Sequence, residues 1–172
     1  MTSKQAAAAA ALEPFFAVVR RIILAFAFVS GAAVFVMIGV TAADVVLRMF
    51  KSGIFGAYDI IRMAGAVTLA CALPYVTAVK GHIAIEFFYQ KFSRRGRVFL
   101  DTVFRLVTLG IFGFMTVRTM MYGGELRASG QVMPTLKVPV FWIPVLIGVM
   151  FVLVLIVTVY HLLHPGREMI KP

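Results

Sequence analysis

Few side chains in this chain could do chemistry. Among 172 residues there are three histidines, one cysteine and seven acidic residues. The histidines are His82, His161 and His164. Two imidazoles at one depth on different helices can ligate a haem, so a haem- or quinone-binding membrane anchor of a respiratory enzyme is one reading. The competing reading makes His82 a polar helix terminator and His161 a residue at headgroup level. Cys71 stands alone, and a single cysteine forms no disulfide framework and binds no metal by itself. No His-Glu-x-x-His run, phosphate-cradling glycine loop or Cys-x-x-Cys pair is present. The sequence therefore predicts no catalytic residue, no metal site, no cofactor and no enzyme.

Charges at helical spacing are the other candidates. Asp44 and Arg48 are four apart, Asp59 and Arg62 three apart, and Asp101 and Arg105 four apart. Such pairs share a helix face and can neutralise each other. His82 and Glu86 repeat the four-residue spacing just after Gly81, whose backbone can end a helix at low cost. A charge within a membrane span is the usual pointer to an ion or substrate path. Here that supply is meagre, since the one acid inside a span, Asp101, can be neutralised by Arg105. An autonomous ion-coupled transporter needs more, with broken helices around a midplane site. The chain reads as a helical partner for a larger membrane protein.

The elements that must position these residues come from the hydropathy pattern. The composition is 62% hydrophobic and 14% charged, with mean hydropathy +0.97. Soluble domains are about 45–50% apolar and about 25% charged. The apolar surplus falls in four blocks, which predicts an all-α integral membrane protein, a single domain over 1–172. The spans are expected near 22–43, 63–79, 98–122 and 138–160. Residues 1–21, with Ala6 to Ala11, read as a short helix lying on the membrane before span one. Ile85, Phe88, Tyr89 and Phe92 recur at i, i+3, i+4 and i+7, which predicts an interfacial amphipathic helix over 83–95. Pro139 fits a first helical turn in span four. Trp142 and Tyr160 suit the two aromatic belts of a bilayer.

Four spans place both termini and the Lys80–Arg97 loop on one side. That side carries ten Lys and Arg residues against six on the other. Basic loops are retained in the cytoplasm, so both termini are expected there. The formal charge of +10 does not imply nucleic acid, because the cations sit at span ends, where anionic lipid headgroups account for them.

The order of the polar motifs resembles a known family. Asp44-Val-Val-Leu-Arg48, Asp59-Ile-Ile-Arg62, Gly81-His82-Ile-Ala-Ile-Glu86, Gly124, and Thr135-Leu-Lys-Val-Pro139 followed by Trp142 are similar to motifs of the DctQ-type small permease. That is the small membrane subunit of tripartite ATP-independent periplasmic (TRAP) transporters. The likeness covers roughly residues 20–160. It departs in span four, where Pro144 stands near the place of a common Tyr. The resemblance implies a small accessory scaffold, or stator, in a bacterial inner membrane. Its partners would be a large permease subunit holding the substrate and sodium sites, and a periplasmic binding protein delivering an organic acid.

Overall fold

The computed structural model describes residues 3–79, 94–163 and 170, and among them the side chains of 14–79, 103–162 and 170. Gly81, His82, Glu86, residues 83–93 of the interfacial helix expected over 83–95, and the side chain of Asp101 lie outside the described residues. Within them the chain is all-helical: α1 (Ser3–Met49), α2 (Ala57–Ala78), α3 (Arg94–Ala128) and α4 (Trp142–Leu163). Each is long and apolar enough to cross a membrane.

The first difference from the sequence reading is α1. The segment expected to lie on the membrane and the first span form one helix of 47 residues. At 1.5 Å per residue it is about 70 Å long. The cause is local: a run of alanines opens the helix, and no glycine precedes Gly31 to end it. Pro14 is carried within the helix. A helix longer than the hydrocarbon core of about 30 Å must tilt or project beyond it.

The second difference is the start of α4. Pro139 is not in a helical turn but in an extended stretch that bridges Val132. Met133 N–H donates to the Val138 carbonyl at 2.8 Å, and Val140 N–H to that of Gln131 at 3.0 Å. Proline has no N–H to give a ladder and tolerates such an edge position. The helix begins only at Trp142.

The helices form an open row, not a closed bundle. α1 packs on α2, α2 on α4, and α4 on α3, with a minor contact between α1 and α4. Ser30 Oγ donates to the Thr68 carbonyl at 2.9 Å across α1 and α2. Ala70, Cys71 and Met150 form one buried cluster between α2 and α4. Cys71 is thus a packing residue. A second cluster joins Phe16, Val19 and Ile23 of α1 to Ala78, Val157 and Ile170. Ile170, beyond the end of α4, reaches back onto the first turns of the chain. Tyr160 packs edge-on against Phe16, with ring centroids 4.8 Å apart, so it faces protein as well as the membrane.

Helix α3 has one neighbour along most of its length. Between Val103 and Tyr122 none of its residues is buried. The outer side of α1 is equally open: Phe28 and Phe35 are 80% and 78% exposed. Ile170→Ala should lower the unfolding free energy in detergent by about 2 kcal/mol, the low end for a buried branched side chain because the tail can relax. Val159→Ala, at an exposed position, should change it little; equal effects in thermal unfolding would mean that the tail contact contributes nothing.

Candidate functional site

The polar side chains that the sequence singles out gather at the two ends of the helix row. At the end shared by the C-termini of α1 and α3 and the N-termini of α2 and α4, two carboxylates organise the loops. Asp44 accepts from Arg48 Nε at 2.7 Å and from the Ile54 N–H at 2.8 Å. The first bond is the expected i, i+4 pair. The second folds the 50–56 loop back onto α1.

Asp59 does something the spacing did not predict. It makes no ion pair with Arg62, whose side chain is exposed. Instead Asp59 is 1% exposed and its Oδ2 accepts two backbone N–H groups, from Thr135 at 2.9 Å and Leu136 at 2.8 Å. The reason is an accounting of donors. The tight turn 133–138 ties Met133 to Val138 and Lys137 to Met133, which leaves the N–H groups of its tip without a ladder partner. A carboxylate in the first turn of a helix is also favoured by the helix dipole. The short side chain of aspartate meets both needs.

Gly56 seals the same joint. It caps α2 in the left-handed conformation, φ +75°. A Cβ there would stand 2.5 Å from Leu136 Cδ2, so the turn tip presses against bare backbone. Lys51 and Lys137 also adopt positive φ, 61° and 58°, in the two loops that meet here. Arg127 lies over the Phe141 ring at 5.7 Å, in cation–π range. Gly124 is exposed, with open space where a Cβ would be. Trp142 is partly buried.

At the opposite end, side chains cap the C-termini of two helices. His161 is buried, and its Nε2 lies 3.3 Å from the Thr77 carbonyl in the last turn of α2. A carbonyl accepts only, so Nε2 carries the proton and donates. Arg105 on α3 donates from a guanidinium nitrogen to the His161 carbonyl in the last turn of α4. The last carbonyls of a helix have no partner within it, and the helix dipole favours a cation beside them. Arg105 therefore ties α3 to α4, and His161 ties α4 to α2. The interhelix tie through Arg105 was not expected from its spacing to Asp101. Of the three histidines only His161 is described, and its Nε2 is engaged by the Thr77 carbonyl, so the respiratory-anchor reading gains no support.

Among the described residues no three of His, Cys, Asp and Glu gather as a metal site would require. Asp44, Asp59, Arg105 and His161 hold helix ends and loops, while the buried Asp59 Oδ1 and Thr68 Oγ1 have no hydrogen-bond partner. Four apolar helices in a row, tied in this way at both ends, define a polytopic membrane subunit with much of its apolar surface uncovered. The model of the family described as "Tripartite ATP-independent periplasmic transporters, DctQ component" matches residues 37–167, and the chain belongs to that family. No curated protein and no solved structure matches it.

Asp59→Ala should destabilise the folded subunit by about 2–4 kcal/mol, because it strands two N–H groups. Asp59→Asn, which keeps an acceptor oxygen, should cost less, and Arg62→Ala should stay within about 0.5 kcal/mol. Thermal unfolding in detergent measures all three. A loss for Arg62→Ala equal to that for Asp59→Ala would restore the ion pair as the stabilising contact.

Proposed function

We propose that the chain is the fixed scaffold subunit of a TRAP-type secondary transporter, assembled with a large permease subunit that moves substrate. The observation that carries this reading is the open helix row. A chain that completes its own fold buries the inner face of every helix, whereas among the described helices α3 packs chiefly on α4. In a membrane, helices associate through close packing and hydrogen bonds, and uncovered faces are met by lipid or by another protein. A row of helices with its ends tied down suits a stator against which a larger body is held.

Three finer statements rest on the sequence bias and on what the family does. The complex would sit in a bacterial inner membrane with both termini in the cytoplasm, as the ten-to-six basic bias implies. A periplasmic binding protein would deliver the substrate, an organic acid, and sodium would drive uptake through the large subunit. Gly81, His82 and Glu86 would form a docking point for the cytoplasmic face of that subunit.

Reconstitution tests the division of labour. The purified chain alone should move neither organic acid nor sodium into liposomes, and uptake should appear when the large subunit is added. Transport by the lone chain would remove the scaffold reading. Reporter fusions at residue 172 and within 123–131 should report opposite sides of the membrane, the first cytoplasmic. His82→Ala should leave the subunit folded but reduce its co-purification with the large subunit; equal recovery at matched expression would make that motif a plain helix corner.

A further inference from the structure

Helix α3 carries a cation at a depth where membrane helices rarely leave one unpaired. Arg118 is exposed, and among the described residues it has no ion-pair or hydrogen-bond partner. The span expected to end near residue 122 runs on as helix to Ala128, so Arg118 lies ten residues, about 15 Å, short of its end. Packing fixes its depth. A Cβ at Gly123 would meet Val145, in the first turn of α4, and one at Gly148 would meet Met120. Arg118 therefore sits about 10 Å inside the level of Trp142. The far end agrees. Arg105 is bonded to His161, and Arg118 is thirteen residues, about 20 Å, from Arg105, against about 29 Å between Trp142 and His161. That is well within a hydrocarbon core of about 30 Å.

The side chain also faces away from the rest of the row. Phe112, Met120 and Gly123 meet Phe151, Gly148 and Val145 of α4. At about 100° per residue Arg118 falls on the opposite side of α3. Val107, Ile111, Phe114 and Tyr122, all exposed, share that side with it. Cα–Cβ bonds on a helix lean toward its N-terminus, so the Arg118 stem leads to the middle of the membrane and not to the nearer surface. Glu125, on the same stripe, is two turns away and is not paired with it. The outer side of α1 differs: no charge lies between Arg21 and Asp44, and Phe28 and Phe35 are exposed there. Small residues do not separate the two faces, since Gly31 and Gly39 are as open as Gly110 and Gly113. The charge does.

We infer that the free face of α3 is where the large permease subunit seats, with Arg118 received by a carboxylate on a membrane-embedded helix of that subunit. The inference rests on the scaffold reading and adds which of the two open faces meets protein. Charged side chains within a membrane face protein or a water-filled cavity and are paired there. Lipid tails offer Arg118 no acceptor, whereas a carboxylate takes the planar guanidinium through two parallel bonds. A second copy of this chain, set beside the first in the same orientation, would bring Arg118 against Arg118. The outer side of α1 is left to lipid.

The test uses the small subunit co-expressed with the large one. A photo-crosslinking amino acid in place of Phe114 should capture the large subunit, and one in place of Phe28 should capture lipid only. At matched expression, Arg118→Leu should recover about tenfold less large subunit on affinity purification. Arg118→Lys should fall between, because lysine keeps the charge but not the two-pronged geometry. The isolated Arg118→Leu subunit should unfold in detergent at or above the parent temperature, which separates a lost partner from a lost fold. Arg118→Glu should lose the partner too, and changing one intramembrane acid of the large subunit to arginine should restore it. Unchanged recovery for Arg118→Leu would overturn the inference. So would crosslinks from Phe114 to lipid or to a second copy alone, or the failure of every such acid change to restore the partner. Failure of the parent pair to co-purify would sink the scaffold reading itself, and shows before any variant is made.

Discussion

A backbone polar group without a partner costs several kcal/mol in a hydrocarbon environment, where no water can satisfy it. Helices meet that demand along their length and fail to meet it at their ends. In this protein the ends are completed by side chains from elsewhere in the chain. Asp59 completes a turn more than seventy residues away in sequence. His161 and Arg105 complete the final turns of α2 and α4. Each such bond also fixes one helix relative to another, so the demand for hydrogen-bond partners doubles as the means of assembly.

That arrangement explains how an open row can hold its shape. Apolar packing is non-directional, and in lipid it offers little preference for one helix neighbour over another. Side-chain bonds to specific carbonyls and amides supply the direction. α2 is held at both ends, by Asp59 at one and by His161 at the other. α3, with one packing neighbour, is held to α4 by Arg105 near one end and by the loop that Asp59 anchors at the other. The faces between remain free for lipid or a partner, while the spacing of the row is set from its edges.

What was legible in the sequence was what is local. Four apolar blocks gave four helices, and Asp44 with Arg48 formed the pair that four-residue spacing allows. Asp59 and Arg62 have nearly the same spacing, yet Asp59 turned to Thr135 and Leu136. Helical periodicity says which side chains could meet, and it is silent on backbone donors that a distant turn leaves unpaired. The signal was present in weaker form: a buried acid at the start of a helix, and a Pro-bounded turn with amides to satisfy. The burial of His161 was not legible for a related reason, because it depends on α2 and α3 and not on its neighbours in sequence. The length of α1 was misjudged because surface and span were separated by hydropathy, while the helix runs on between them with Pro14 carried inside it.

The cluster that joins Phe16, Val19 and Ile23 to Val157 and Ile170 has a consequence in time. Its members lie as far apart in the chain as Phe16 and Ile170. Contacts that span nearly the whole chain form late, after the loop-closure entropy between them has been met. During synthesis the Phe16–Ile23 face of α1 can meet Ala78 as soon as α2 is made, and meets Val157 and Ile170 only after α4 and the segment beyond it have followed. The packing of this one face is thus completed in stages, and loss of Ile170 would leave it partly uncovered.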